Sequence, residues 1–154
     1  MGTIKDSLTF DDVTLVPQYS SILPVDTITN SELSKNLNLK VPLLSSAMDT
    51  VTESKMAIAI SKSGGIGVIH KNLSIEKQVR EVQKVKNSKC LVGAAIGVNN
   101  QDIERAEELS KAKTDLIVID TAHGHTKKVL TMIIKIRKKL KNSILCVGNI
   151  ATGK

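Results

Sequence analysis

The sequence of 154 residues predicts an α/β fold, namely part of a (β/α)8 or TIM barrel. From about residue 41, short apolar runs alternate with amphipathic stretches of helical length, and the repeat is about 25 residues, enough for a strand, a loop and a helix. Strands that alternate with helices pair in parallel through crossover connections. This pattern leaves two architectures, a doubly wound open sheet or a barrel.

The glycine pattern favours the barrel over the doubly wound sheet. A dinucleotide-binding open sheet carries G-x-G-x-x-G between its first strand and the following helix. Here the first strand leads into residues 45–50 (SSAMDT), and the one glycine cluster, residues 64–67 (GGIG), enters a strand. We therefore expect about five parallel strands and four helices after an N-terminal lead-in.

The apolar runs give the strand positions, and the helical stretches lie between them. The predicted strands lie near residues 42–46, 66–70, 91–96, 115–120 and 144–148, and the predicted helices near 52–63, 75–86, 101–112 and 126–140.

Local signals support each predicted helix in turn. The first ends at Gly64, a residue that readily adopts the left-handed conformation of a helix stop. The second follows Ser74, a favourable N-cap residue. The third follows Asn100 and has apolar residues at helical spacing, and the fourth presents an apolar face opposite a lysine-rich face.

Residues 1–40 do not follow the repeat, and we expect them to form a strand-and-loop lead-in that packs under or across the barrel. It includes Thr9, Phe10, Pro17 and Pro24. Residues 41–154 form the first part of the barrel. Since a complete barrel has eight strands, the other strands must lie in further residues of the same chain or in a partner chain.

Composition restricts the class of protein. The hydrophobic content of 41% suffices for a core, and the aromatic content of 1% implies a core of aliphatic side chains. The net charge of +7 could suit a nucleic acid, but the basic residues are not interleaved with the aromatic residues that stack on bases. We therefore do not expect a nucleic-acid partner. Without an apolar span or a signal peptide, the sequence predicts a cytoplasmic protein with no membrane association.

The strand exits are the candidate functional site, because barrel enzymes bind ligands with the loops that follow the strands. Asp120 is the strongest candidate, since its carboxylate could hold a ribose diol, bind a metal or cap the next helix. His123 and His125 favour loop hydrogen bonds over a metal site, which would need more ligands. Cys90 lies at a strand entry and Cys146 inside a strand, so neither is expected to be a nucleophile.

Several motifs resemble the IMP dehydrogenase family in its microbial form and follow the order found in that family. The resemblance covers nearly the whole chain. It rests on residues 8–13 (LTFDDV), 44–53 (LSSAMDTVTE), 64–72 (GGIGVIHKN), 92–97 (VGAAIG), 119–125 (IDTAHGH) and 147–152 (VGNIAT). The related GMP reductases differ around the Met-Asp-Thr-Val segment and remain the alternative.

The resemblance implies oxidation of IMP to XMP with NAD, through a cysteine that attacks C2 of the purine. It implies substrate contacts from Ser46, Met48 and Asn149. It also implies that Asp120 holds the nicotinamide ribose. The remaining cofactor contacts that it implies are Thr121 and Ala122, which would line the dinucleotide site, and Val98 and Asn99, which would lie near the adenosine half.

Two departures from the family pattern lead to further expectations. The regulatory CBS insert of the family is absent near residues 86–91. The resemblance also implies that the catalytic cysteine loop, the potassium site and the mobile flap lie beyond Lys154, so this chain alone should be inactive. Completion by the remaining half of the barrel and a homotetramer are implied by the resemblance, and a non-catalytic nucleotide-binding fragment remains a second alternative.

Overall fold

The computed structural model describes residues 8–9 and 11–153, so Phe10 and Lys154 lie outside the described residues. Five parallel strands form one sheet in the sequential order β3-β4-β5-β6-β7, and a separate antiparallel hairpin joins β1 to β2. The strands are β1 (Ser31–Ser34), β2 (Leu37–Leu39), β3 (Leu44–Ser45), β4 (Ile66–Ile69), β5 (Val92–Ile96), β6 (Leu116–Asp120) and β7 (Ile144–Gly148). This arrangement confirms the predicted half of a (β/α)8 barrel.

One helix lies between each pair of consecutive sheet strands. The helices are α1 (Ser54–Lys62), α2 (Ile75–Asn87), α3 (Gln101–Lys111) and α4 (Lys127–Lys139). The four predicted helices are thus confirmed, with small differences at their ends. None of these helices of the described residues has the length and apolarity needed to cross a membrane.

The first sheet strand, β3, is shorter than predicted. Only Leu44 and Ser45 pair with β4, opposite Ile66 and Gly67. Pro42 has no amide hydrogen to donate to a sheet, and the Leu43 amide donates to the carbonyl of Val41 at 2.8 Å. These two features end the regular ladder before residue 44.

The sheet has two faces with different neighbours. Ile117 and Ile119 of β6 belong to the main buried cluster beneath the helices. Leu116 and Val118 belong to a second cluster on the face that corresponds to the barrel interior. Because side chains alternate along a strand, Asp120 falls on the interior face at the carboxyl end of β6.

Helix α1 comes unusually close to β4 because Gly67 has no side chain. A Cβ atom on Gly67 would lie 2.4 Å from the Ala57 Cα atom. Ala57 is itself fully buried. The close contact of these two small residues sets the position of α1 and of the loop that precedes it.

The lead-in packs against the amino-terminal ends of the strands. Leu37 and Leu39 of the hairpin are only 2% exposed and contact a cluster that includes Ile66 and Leu116, the first residues of β4 and β6. The described residues before the hairpin contain no strand and only a short 3-10 turn at Pro24–Asp26. Within the predicted lead-in of residues 1–40, the strands of the described residues therefore lie at residues 31–39.

Candidate functional site

Side chains from two strand exits meet at the carboxyl edge of the sheet. Lys71 follows β4, and its ammonium group donates a hydrogen bond to the backbone carbonyl of Asp120 at the end of β6. The same Nζ atom lies 3.5 Å from Asp120 Oδ2. The two side chains are 33% and 36% exposed, so the ion pair lies at the rim of the site in contact with solvent.

These two side chains border a cleft of about 340 Å³. The intervening strand, β5, ends at Ile96, and Gly97, the first residue after it, borders the cleft. The cleft contains four of the five predicted cofactor residues. Its lining consists of Lys71, Gly97, Val98, Asn99, Gln101, Asp102, Arg105, Asp120 and Thr121.

Ala122, the fifth predicted cofactor residue, does not line this cleft. It is exposed in the loop after β6, as are His123 and His125. Neither histidine side chain makes a hydrogen bond to the described residues, so the predicted loop hydrogen bonds are not found there. No group of three or more His, Cys, Asp or Glu side chains that could hold a metal ion occurs among residues 8–9 and 11–153.

The loop between β3 and α1 contains Ser46 and Met48 and is organised by Thr52. The Thr52 hydroxyl is fully buried and donates to the Ser46 carbonyl at 2.6 Å, while its oxygen lies 2.9 Å from Ser45 Oγ. The Thr52 amide donates to the Met48 carbonyl at 2.9 Å. Ser46 and Met48 are exposed, so this loop presents them at the open edge of the site.

Asn149 lies at the opposite end of the sheet from Ser46 and Met48. It is exposed after β7, and its backbone is joined to the loop after β6: the Asn149 amide donates to the Thr121 carbonyl at 2.7 Å. The Thr121 hydroxyl donates to the Gly148 carbonyl at 2.7 Å. The structure thus brings Asn149 close to Thr121 but separates it from Ser46 and Met48 by the width of the sheet.

A buried histidine lies beside the loop that contains Ser46 and Met48, and the sequence analysis assigned no role to it. His70 is 2% exposed, and its Nδ1 atom accepts from the Asn72 amide at 3.2 Å. Its Nε2 atom has no hydrogen-bond partner among the described residues, and Glu53 Oε1 lies 3.5 Å away. The histidine follows a buried strand directly, and that position is the signal that could have identified it.

The two cysteines lie away from the strand exits, as expected. Cys90 is buried just before β5, at the amino-terminal end of the sheet. Cys146 is half-buried within β7 and contacts the interior cluster. Neither thiol borders the cleft.

The fold and the site together define a class of protein, one with half of a (β/α)8 barrel and a polar cleft at the carboxyl ends of its strands. The sequence matches the family described as "IMP dehydrogenase / GMP reductase domain" over residues 7–154. The chain belongs to this family.

Individual relatives named inosine-5'-monophosphate dehydrogenase are similar to this chain over much of its length. The chain is 42% identical to the inosine-5'-monophosphate dehydrogenase of Borreliella burgdorferi over 198 aligned positions, which cover 96% of this chain and 49% of the relative. It is 40% identical to the enzyme of that name from Cryptosporidium parvum, with 99% and 48% covered. A shorter match, 58% identical over 83 residues, is to the one from Chlorobaculum tepidum. The chain spans about half the length of the first two relatives.

Proposed function

We propose that this chain is part of an IMP dehydrogenase that oxidises IMP to XMP with NAD in guanine nucleotide biosynthesis. The observation that carries the proposal is the cleft, because it groups Val98, Asn99, Asp120 and Thr121 from two different strand exits. Family membership and the two relatives that match nearly the whole chain support the same activity.

The proposed cofactor site uses Asp120 as its main polar anchor. An ionised carboxylate only accepts hydrogen bonds, and two neighbouring ribose hydroxyls can both donate to it. Lys71 restrains Asp120 through the backbone carbonyl and leaves the carboxylate one-third exposed to a ligand. The residues therefore fit the ribose of a dinucleotide, and NAD bound there would accept a hydride from the substrate.

Around this anchor, we propose that Thr121 and Ala122 line the dinucleotide site and that Val98 and Asn99 lie near its adenosine half. The cleft volume of about 340 Å³ suits one nucleoside portion of a dinucleotide. Holding the cofactor in a defined orientation lowers the entropic part of the reaction barrier.

For the substrate, we propose contacts from Ser46, Met48 and Asn149. Thr52 holds the carbonyl of Ser46 in place, and the joined loops after β6 and β7 hold Asn149. Since the two groups lie at opposite ends of the sheet, a nucleotide between them would lie across the mouth of the barrel.

The proposed enzyme requires a second half of the barrel, in the same chain or in a partner. All five residues of β7 are only half-buried, and Leu130 and Ile134 of α4 are 49% and 57% exposed. We propose that the nucleophilic cysteine, the potassium site and the flap lie in that second half, and that the described residues alone do not catalyse turnover. A cytoplasmic homotetramer remains part of this proposal.

We also propose that the regulatory insert is absent near residues 86–91. Helix α2 ends at Asn87 and β5 begins at Val92, and Lys89 turns the chain with φ of 56°. The Leu91 amide donates to Ser61 Oγ at 2.8 Å. The Borreliella burgdorferi alignment spans 198 positions, more than the 154 residues of this chain, so that relative contains residues without a counterpart here.

The test is to reconstitute the barrel and assay it. This chain is co-expressed with the residues that follow the aligned region of the Borreliella burgdorferi relative, and the product is called the assembled barrel. We expect NADH formation that requires both IMP and NAD. Consumption of GMP and NADPH would instead identify a GMP reductase. A folded assembly without either activity would contradict the proposal.

Replacement of Asp120 by Asn tests the cofactor anchor. A hydrogen bond to a charged group contributes about 1.5–3 kcal/mol, so the KM for NAD should rise about tenfold to a hundredfold in D120N, with a small change in the KM for IMP. Steady-state kinetics of the assembled barrel measure both constants. D26N is the control, since Asp26 is exposed in the 3-10 turn; an equal effect in both variants would exclude an anchoring role.

The alternative of a non-catalytic nucleotide-binding fragment makes a different prediction. It requires that the chain alone unfold cooperatively and be stabilised by IMP. Calorimetry of the chain with and without IMP distinguishes the two proposals, and we expect no cooperative transition.

A further inference from the structure

A largely buried polar cluster lies at the wall of the cleft, formed by Gln78 of α2 together with Asp102 and Arg105 of α3, and the last two of these residues also line the cleft. Gln78 is fully buried and Asp102 is 8% exposed. The Arg105 side chain is 14% exposed. Charged side chains are rarely so buried without a partner. The hydrogen-bond partners of these polar atoms therefore show which elements the cluster joins.

Arg105 connects α3 to α2 and to the loop that precedes α2. Its Nη1 atom donates to Gln78 Oε1 at 2.8 Å, and its Nη2 atom donates to the Leu73 carbonyl at 3.0 Å. Its Nε atom lies 3.6 Å from Asp102 Oδ1. All three guanidinium nitrogens therefore face protein acceptors, and the group is held in one orientation.

Gln78 extends the connection to the sheet. Its side-chain amide donates to the Ile69 carbonyl at 3.2 Å and to the Ala95 carbonyl at 2.8 Å. These two carbonyls lie near the carboxyl ends of β4 and β5, next to the strand exits. Through Gln78, Arg105 is therefore fixed relative to the sheet as well as to the helices.

Asp102 extends the connection to the cleft. Its Oδ2 atom accepts a hydrogen bond from the Asn99 amide at 2.8 Å. The same oxygen would lie 2.8 Å from a Cβ atom on Gly97, so the carboxylate packs directly against that glycine. Asp102 thus contacts both ends of the three-residue segment Gly97–Asn99 that lines the cleft.

Net stabilisation of the fold does not by itself explain this cluster. Burying charges is costly, and apolar side chains of similar volume often stabilise a protein equally well. Asp102 lies in the first turn of α3, where a carboxylate favours the helix dipole without needing burial. Its carboxylate accepts from the Asn99 amide three residues earlier, as in a capping box, and so fixes the loop at the point where the helix begins.

We propose that Gln78, Arg105 and Asp102 are positioning residues that hold the β5–α3 loop in the conformation that receives the adenosine half of the dinucleotide. This inference rests on the proposed function. The cluster does not touch the reacting atoms. It acts through the backbone of Val98 and Asn99, which it ties to the sheet that also carries Asp120.

The first test is a comparison of Michaelis constants in the assembled barrel. Asp102→Ala removes the loop contact, and we expect about a tenfold rise in the KM for NAD, with kcat and the KM for IMP within about twofold of wild type. Arg105→Lys keeps the charge but loses the planar guanidinium group that donates to two acceptors at once. It should show about a threefold rise in the KM for NAD. The matched control is Arg80→Lys, since Arg80 is exposed on α2. Equal changes in both Michaelis constants, or none, would overturn the inference.

The second test is independent of activity and uses amide hydrogen exchange of the same assembly. Asp102→Ala should accelerate exchange of the Asn99 amide about tenfold, while the amide of Leu109, near the carboxyl end of the same helix, exchanges at its wild-type rate. Unchanged exchange at Asn99 would overturn the inference, and so would equal acceleration at Leu109, which would show a purely structural role. If Asp102→Ala does not fold, Arg105→Lys is compared in the same way.

The two tests separate the inference from the proposed function. A wild-type assembly that forms no NADH would contradict the proposed function, whereas the exchange measurement would still show whether the cluster holds the loop. Faster exchange at Asn99 together with an unchanged KM for NAD would contradict the positioning role alone.

Discussion

At the scale of single residues, Thr52 illustrates how a buried hydroxyl organises an exposed loop. Its side chain is inaccessible to solvent, yet the Ser46 and Met48 side chains that depend on it are exposed. The hydroxyl satisfies the Ser46 carbonyl, and the Thr52 amide satisfies the Met48 carbonyl. The conformation of this exposed loop therefore depends on a residue that is itself fully buried.

Replacement of Thr52 by Val keeps the shape of the side chain but removes its hydroxyl group. The Ser46 carbonyl loses the Thr52 donor and keeps the Met48 amide at 2.9 Å, so we expect a loss of about 0.5–1.5 kcal/mol in unfolding free energy. Urea unfolding of the assembled barrel measures this loss. Thr131→Val is the control, since the exposed Thr131 hydroxyl donates to the Lys127 carbonyl at 2.8 Å and its loss should cost less than about 0.5 kcal/mol. Equal losses would contradict the role of Thr52.

At the scale of elements, three helices end with the same backbone pattern. After each helix, an amide bonds to a carbonyl five residues earlier: Gly65 to Ile60 at 3.0 Å, Cys90 to Val85 at 3.3 Å and Thr114 to Leu109 at 3.2 Å. The preceding residue is left-handed in each case, but only the first is glycine, with lysine at 89 and 113. The pattern therefore forms even where the residue type does not favour it.

Replacement of Lys113 by Gly should relieve this conformational cost. Lys113 has φ of 63°, which costs an L-residue roughly 1 kcal/mol relative to glycine. We expect K113G to increase the unfolding free energy by about 0.5–1 kcal/mol. K138G in the last turn of α4 is the control and should decrease it by a similar amount, because its backbone is helical. Destabilisation in both variants would show that the left-handed cost is offset elsewhere.

The start of α1 depends on a residue of another helix. Glu53 precedes the helix but provides no side-chain cap, and the Ser54 amide instead donates to Glu81 Oε2 of α2 at 2.8 Å. Burial disfavours ionisation of Glu81, but hydrogen bonds from Lys84 and Ser54 outweigh burial, so the pKa of Glu81 is below its ordinary value. One carboxylate thus joins two neighbouring helices.

The lowered pKa determines the sign of a pH effect. Ionised Glu81 favours the folded state above the ordinary carboxyl pKa, and its contribution is lost as pH falls through the lower pKa of the folded state. E81Q should therefore lower the unfolding free energy by about 1 kcal/mol near neutral pH, with a smaller difference in acid. Urea unfolding of wild type and E81Q from neutral to acid pH measures this difference in unfolding free energy. E108Q is the control on α3, and a pH-independent loss in E81Q would contradict the role of ionisation.

At the scale of the whole molecule, the half barrel has a helix-covered face and an interior face. The main cluster buries the first face, whereas Cys146 and Val118 on the second are only half-buried. The β1–β2 hairpin covers the amino-terminal end of the interior through Leu37 and Leu39. The described residues therefore provide the hairpin that closes the amino-terminal end of the barrel, five of its strands and the loops that follow them.

Replacement of Leu39 by Ala tests whether the hairpin is an integral part of the fold. Leu39 is 2% exposed, so its truncation should cost about 2–5 kcal/mol and leave a cavity at the base of the barrel. L15A is the control, because Leu15 is 93% exposed and its truncation should change the stability little. Thermal unfolding of the assembled barrel measures both, and a similar small loss in L39A would show that the hairpin is dispensable.

The sequence by itself determined the order and kind of the barrel elements and located Asp120 at a strand exit, because these properties depend on local apolar periodicity and on the requirement that successive strands be parallel. It did not locate the lead-in strands, where the alternation is short. Gly64 predicted where the first helix ends and Ser74 where the second begins. No residue type indicated that Lys89 and Lys113 adopt the left-handed backbone conformation.

Only the tertiary structure decided which side chains meet. Lys71 reaches Asp120 across 49 residues of sequence, and Glu81 caps a helix that begins 27 residues earlier. Such pairs depend on how loops and side chains cross the ends of the sheet, and no local pattern encodes that path. The half barrel is therefore apparent from the sequence, whereas the connections that shape its cleft result from packing between elements that are distant along the chain.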